Sequence, residues 1–392
     1  MLLALTLFAV VLAAVALPVI ELGTRWWIRR RNVYYVFPPR WRMRLHLDRD
    51  TFPGFPPVTG FEVNSDGERG NEVPRPAEGL YRVLVAGGSQ PEGAFLDQPS
   101  AWPAMVERLI ATPEHLRSLG ASKAHVGNIG RSGVGSAELD LIFERVLPRY
   151  PRLQLIVVLV GVSDVMHWME RGCPRLFPPV RAADVFTCHP EGPFGWRPRA
   201  WAAMELLRRA RHRWLRPVEV HWRAGAWIGR ACAMRARAIE IRTTLPNPAP
   251  MLDHFEFHLE GLLRRARAHA DRVLVVRQPW FNKEFSPEET ARMWHGAVGE
   301  PWRTEVSTYY SLEIFKTLMS LLDVRAAAVC DALGVEHLDL MPILDQSLAT
   351  FHDGFHLTPA GAEAVARAVS EAILRTRWRQ VRQAGAEIRA AS

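Results

Sequence analysis

The sequence predicts an α/β fold: a three-layer α/β/α sandwich on a five-stranded parallel sheet, with a transmembrane helix in front and a helical insertion inside. Three observations predict it. Five short runs, at 81–86, 124–128, 155–160, 272–276 and 335–339, are rich in aliphatic and β-branched residues and alternate with stretches of helical period. Such alternation folds as parallel strands joined by crossover helices on both faces. Residues 2–22 are apolar except for Thr6, Pro18 and Glu21, about the length that crosses a bilayer of roughly 30 Å. Between the third and fourth runs there are far more residues than a βα connection needs, hence the insertion.

Residues 1–31 read as the anchor and its basic flank. A cleaved signal peptide is the rival, with Ala14-Val-Ala16 as a small-x-small cleavage site. Against cleavage, no basic residue precedes the apolar run, and Trp26-Trp27 followed by Arg29-Arg30-Arg31 suits an interfacial belt. Residues 32–80 are rich in Pro, Gly and aromatics without a long period, and read as an extended lead-in packed over the domain.

The domain itself is expected at 81–378. Its first strand stops at Gly87-Gly88-Ser89, and Trp102, Met105, Val106, Leu109 and Ile110 mark one face of the next helix. The second strand runs into Asn128-Ile-Gly-Arg-Ser-Gly133 and the third into Gly161-Val-Ser-Asp164. After the fifth come Asp353-Gly-Phe-His356, then Thr358 as a helix cap and Pro359 as the first helical residue. Val365, Val369, Ala372 and Ile373 give that helix its apolar face. Residues 379–392 are expected as a tail.

The insertion, 170–270, holds the unusual charge. Residues 196–242 contain twelve Arg and three Glu, a balance of +9, whereas the whole protein is +8, so the remainder sums to −1. Five Trp share the stretch, and Trp201, Met204, Leu207 and Trp214 recur at helical spacing until Pro217. Such a helix can lie on an anionic membrane or hold an acidic polymer; equally, it can cap the core with its arginines merely solvated. Nucleic acid is not an expected partner, because no nucleic-acid motif accompanies the charge. At 48% hydrophobic and 23% charged, the 392 residues have an ordinary globular composition, and disorder is not the expected state. The four cysteines do not make a disulfide framework. Cys173 and Cys188 can pair in an oxidising compartment or stay isolated thiols, and no Cys/His spacing suggests a metal.

A serine after the first strand and an acid three residues before a histidine supply a nucleophile, a base and an orienting carboxylate. That is the inventory of a serine hydrolase. A strand-end serine can instead cap a helix, and Gly-Gly-Ser can cradle a phosphate, but neither explains Asp353 and His356 at the far end of the sequence. The glycine spacing fits neither a dinucleotide fingerprint nor a P-loop. An α/β-hydrolase carries its nucleophile in a G-x-S-x-G elbow near the middle of its sequence, with acid and histidine well separated, and that arrangement is not found here. Ser89 is thus the candidate nucleophile, His356 the base and Asp353 its orienter; His352 is an adjacent competitor.

These blocks, in this order from about residue 81 to 374, resemble the SGNH (GDSL-type) hydrolase superfamily. Gly87-Gly88-Ser89 is similar to a Gly-Gly-Ser variant of the first block in bacterial members, 128–133 to the second, Gly161-Val-Ser-Asp164 in part to the third, and Asp353-x-x-His356 to the last. The resemblance implies a flavodoxin-like sandwich, an oxyanion hole made by the backbone N–H groups of Ser89 and Gly133 with a third donor at Ser163, and no metal, nucleotide or organic cofactor. It implies an esterase acting on an acylated small molecule, lipid or polysaccharide. The alternatives are an O-acyltransferase acting on a cell-envelope or extracellular polysaccharide, and a non-catalytic glycan- or membrane-binding member. One block departs: Ser163 stands where the family has an asparagine, and losing an oxyanion donor typically costs about 100- to 1000-fold in turnover. Asn128 and Asp164 are expected to shape loops, and Met166, His167 and Trp168 to line a substrate pocket.

Sidedness is argued in both directions. Arg25, Arg29, Arg30 and Arg31 follow the apolar run, which under the positive-inside rule keeps the domain cytoplasmic. An anchor ending in Glu21-Leu-Gly-x-Arg25, then Val63-Asn-Ser-Asp-Gly67, is similar to bacterial members facing the envelope, and the expectation follows that resemblance: an extracytoplasmic domain.

Overall fold

The computed structural model describes residues 2–31, 34–187, 189, 201–204, 207, 210, 211 and 219–390. Ten strands lie among them: β1 (Arg42–Leu47), β2 (Val58–Glu62), β3 (Leu80–Gly87), β4 (Lys123–Asn128), β5 (Leu153–Leu159), β6 (Glu219–Ala224), β7 (Glu240–Arg242), β8 (Ala270–Val276), β9 (Thr308–Tyr310) and β10 (Glu336–Leu338). Five of them form one parallel sheet in the order β10-β8-β5-β3-β4. These are the five expected strands.

Both sheet faces are buried, so the strands read as apolar runs rather than alternations. Along β3, Val83 and Val85 point to one face with Val157 of β5, against the helices Trp102–Ile110 and Pro359–Ala390. Leu84 and Ala86 point to the other with Ile156 and Val158, against the helices Ser136–Val146, Ala249–His269 and Leu312–Leu333. Each fully buried Val, Leu or Ile among them stabilises the fold by roughly 1.5–3 kcal/mol. The final helix is capped as the sequence implies, with the Gly361 N–H donating to Thr358 Oγ1 at 3.1 Å. It continues through the segment read as a tail as far as Ala390.

The strand order reverses between β3 and β5: the backbone leaves β3 for β4 on one side, then returns to β5 on the other. Loops leaving the carboxyl ends of β3 and β5 therefore diverge and open a crevice there.

Two smaller sheets flank the main one. β1 pairs antiparallel with β2 and parallel with β6, so the lead-in is joined to the insertion. The lead-in thus holds two strands rather than only extended backbone; in β1, Met43, Leu45 and Leu47 are buried and alternate with Arg42, Arg44 and His46. β7 pairs with β9. The helix Ala249–His269, inside the interval read as insertion, is a crossover helix packed on the sandwich.

The N-terminal helix, Leu2–Arg31, contains the stretch Thr6–Trp27, long and apolar enough to cross a membrane; a signal sequence shares those properties. Glu21 on it accepts the backbone N–H groups of Ala202 (2.9 Å) and Ala203 (3.0 Å). Trp201, Met204 and Leu207 are exposed, while Trp214 and the Cys188 partner proposed for Cys173 lie outside the described residues. The Cys173 thiol donates to the Tyr310 hydroxyl at 3.1 Å.

Candidate active site

Ser89 stands at the mouth of the crevice because β3 and β5 approach too closely for anything but glycine just before it. Gly87 has φ +151°, and a Cβ there would collide with the Leu159 carbonyl. Ser89 then opens the short helix Ser89–Glu92, an end at which backbone N–H groups have no intrahelical partner.

The structure brings Ser89, His356 and Asp353 into one hydrogen-bonded relay. Ser89 Oγ lies 2.8 Å from His356 Nε2, and His356 Nδ1 lies 2.7 Å from Asp353 Oδ2. A carboxylate at Nδ1 selects the tautomer with its proton there, leaving Nε2 to accept the serine proton. Asp353 is 1% exposed. Its Oδ1 accepts the N–H groups of Phe355 (3.0 Å) and His356 (2.8 Å), and its Oδ2 also accepts the Trp294 indole N–H (2.9 Å). Four donors fill the four lone-pair positions of a carboxylate. Burial alone would raise its pKa, but the imidazoles of His356 and His352 outweigh it and hold the carboxyl well below the ordinary range.

His352, the competitor, stacks on His356 at 5.4 Å between ring centroids and packs edge-on against Phe52 and Phe55. Burial lowers its pKa to about 4, which keeps it neutral. His352, Asp353 and His356 are also the cluster among the described residues whose ligand atoms are close enough for a metal ion. Every Asp353 lone pair in this cluster is already taken by a protein donor.

The second half of the crevice comes from three segments. Gly133, in a turn with φ +75°, and Ser163, second residue of the helix Val162–Glu170, line the same cavity as Ser89. Ser163 is 6% exposed, and its Oγ would lie 3.5 Å from a Cβ added to Gly88. Among the described residues, the Ser89 and Gly133 amides and the Ser163 hydroxyl donate to no other protein group.

Asn128 and Asp164, expected to shape loops, hold these segments together with Glu92 and Arg69, which no sequence motif marks. The Ser132 N–H donates to Glu92 Oε2 at 2.8 Å, and the Ser132 hydroxyl donates to the same oxygen. Burial pushes the Glu92 carboxyl up. The buried Arg69 guanidinium donates to the carbonyls of Gly93 (2.7 Å) and Leu96 (2.8 Å) and to that of Glu92. Asn128 bridges the loops, its Nδ2 donating to the Pro91 carbonyl (2.6 Å) and its Oδ1 accepting the Gly130 N–H (2.8 Å). Asp164 accepts the Ser136 N–H at 3.0 Å and the Ser136 hydroxyl at 2.5 Å, and burial pushes its pKa up to about 7. Trp294 and Arg69 carry no signal readable in one sequence; Glu92 lies three residues past Ser89, within reach of a spacing argument.

The cavity beside Ser89 has a volume of about 320 Å³, with Met166, His167, Glu170, Trp227, Trp294 and Trp302 among its walls. Met166 and His167 are where the sequence placed them. Trp168 is not: it is 1% exposed in the core, its indole N–H donating to the Pro174 carbonyl at 2.9 Å. Residues 163, 166, 167 and 170 share one face of a 3.6-residue helix, and 168 points away from it.

No protein-family model matches the sequence, and comparison with curated proteins found no match either. Solved structures of similar shape include an acetylxylan esterase from Geobacillus stearothermophilus, at 12% identity over 74% of this protein and 92% of that one, TM-score 0.38. A member of the lipolytic protein G-D-S-L family from Veillonella parvula aligns at 8% identity over 74% and 97%, TM-score 0.39. An alpha/beta hydrolase enzyme from the metagenome of Lake Arreo aligns at 12% identity over 74% and 93%, TM-score 0.39.

Proposed function

We propose that this protein is a serine esterase of the SGNH type, held to a membrane by its N-terminal helix, with the domain at 81–378 on the extracytoplasmic side. The observation that carries the reading is the unbroken relay from Ser89 Oγ through His356 to a fully satisfied Asp353. His356 Nε2 takes the Ser89 proton as Oγ bonds to the ester carbonyl carbon. The oxyanion receives the N–H groups of Ser89 and Gly133 and the Ser163 hydroxyl. As the bond to the leaving alcohol breaks, His356 returns its proton to that oxygen. Water, deprotonated by His356, then attacks the acyl-enzyme and releases the acid. Asp353 stays ionised throughout and stabilises the imidazolium.

Ser163 supports this reading despite replacing an amide, because its hydroxyl proton is committed to no protein acceptor among the described residues and can rotate toward the oxyanion. The test is fluorophosphonate labelling of the full-length protein in detergent, with 4-nitrophenyl acetate turnover. Labelling and turnover that vanish together in Ser89→Ala are expected. An unlabelled wild-type serine, or turnover that survives the substitution, overturns the assignment.

A further inference from the structure

The cavity beside Ser89 has two chemically different ends. Ser163, Met166, His167 and Glu170 lie on one face of their helix, so Glu170 is about 10 Å along the axis from Ser163 at 1.5 Å per residue. Near the serine, His167 Nε2 would lie 3.8 Å from a Cβ on Gly133. At the far end, the Gly299 N–H donates to the Glu170 backbone carbonyl at 2.8 Å, which fastens the loop carrying Trp302 over the cavity. Trp227 lies edge-on to Trp294 at 5.1 Å and to Trp302 at 6.3 Å, forming an aromatic wall.

We propose that this cavity is a subsite for an uncharged sugar ring, in which the Glu170 carboxyl hydrogen-bonds a ring hydroxyl and sets specificity against carboxylates and plain acyl chains. The proposal rests on the esterase reading above, since it names the substrate class of the same site.

Three observations carry it. First, no Lys or Arg is among the described residues that line the cavity. A carboxylate entering it would be desolvated without a counter-charge, and that burial is costly. Second, the Glu170 carboxyl makes no hydrogen bond to another protein group among the described residues. A methyl-ended acyl tail filling the cavity would strip water from it and leave it unpaired, at a cost of about 1–3 kcal/mol. Third, indole walls offer apolar faces to the C–H side of a sugar ring, while the carboxyl reaches its hydroxyl edge.

The charges facing Glu170 agree. Burial and Glu300 together raise its pKa to about 9, opposed by Arg171. His167 is held neutral mainly by burial, with Arg171 assisting and Glu138 and Glu300 opposing. At pH 7 the cavity thus presents an uncharged imidazole toward the serine and an uncharged acid at the far end.

The test measures binding by tryptophan fluorescence on the full-length protein in detergent, using methyl β-D-glucopyranoside, methyl β-D-glucuronide and octanoate. None is an ester, so the outcome is independent of whether Ser89 turns over. The glucoside is expected to bind at least about tenfold more tightly than the glucuronide, with octanoate failing to displace it. Glu170→Ala weakens the glucoside about tenfold, the equivalent of ~1.4 kcal/mol. Glu170→Gln is expected to keep binding within about threefold and to abolish the loss of affinity expected of wild type as pH rises through about 9. Equal or tighter glucuronide binding, displacement by octanoate, absence of glucoside binding, unchanged binding in Glu170→Ala, or an alkaline loss that persists in Glu170→Gln would each overturn it.

Discussion

The two halves of the crevice around Ser89 are built on opposite plans. On the side proposed to hold the base every acceptor is filled: Asp353 takes four N–H donors, and His356 is spanned between Asp353 and Ser89. On the side proposed as the oxyanion hole the donors of Ser89, Gly133 and Ser163 are left open among the described residues, and the satisfied groups, Glu92, Asn128 and Asp164, stand one layer behind them. The difference teaches what each half has to do. A base must hold one tautomer and one position before substrate arrives, whereas an oxyanion hole keeps its hydrogen bonds for a charge that exists only in the transition state.

The largest expected effect tests the filled half. Ser89→Ala and His356→Ala are each expected to lower kcat for 4-nitrophenyl acetate by about 1000-fold or more, and the double variant to be scarcely worse, since such residues act as a unit. Additive losses in the double variant would break the picture of one relay.

Next comes the open half. Ser163→Ala is expected to lower kcat by about 10- to 1000-fold with KM nearly constant, the signature of a transition-state donor. Ser163→Asn, which restores an amide, is expected to match or exceed wild type. If Ser163→Ala leaves kcat unchanged, the backbone donors suffice and the contrast between the halves narrows.

A smaller effect sharpens the base side. Trp294→Phe removes the Asp353 donor supplied from outside its own turn, and kcat/KM is expected to fall about tenfold, the ~1.4 kcal/mol of one hydrogen bond to a charged group. Unaltered kcat/KM would mean that the donors within 353–356 orient the imidazole unaided.

The smallest concerns two buried carboxyls with opposite pKa shifts. Asp353 is held low, but Asp164, with fewer donors, is raised to about 7 by burial. A raised folded-state pKa contributes stability below the unfolded value near 3.8 and loses it as pH rises through about 7. Asp164→Asn should therefore raise Tm relative to wild type at pH 8, by about 2–4 °C per kcal/mol relieved. At pH 4 the gain should vanish, and thermal melts at both pH values check this. A variant that melts lower at pH 8 would show that the Asp164 charge is needed to cap the helix that Ser136 opens.

Local chemistry made much of this molecule legible from its residues alone. The five strands were readable because burial on both faces leaves uninterrupted aliphatic runs. The Ser89 turn was readable because only glycine tolerates the approach of β3 to β5, and the 353–356 turn because acid and base are three residues apart in one loop. Thr358 and Pro359 announce a helix start through capping chemistry that spans a single turn. Tertiary structure alone decided the rest. The Trp294 bond to Asp353, the Arg69 clasp on the loop after Ser89 and the Arg44 bond to Glu219 between β1 and β6 join residues 59, 24 and 175 positions apart. Contacts at such separations leave no period or spacing in a single sequence. Trp168 shows the same limit at short range: its neighbours Met166 and His167 face the cavity, and only the helix rotation sends it into the core.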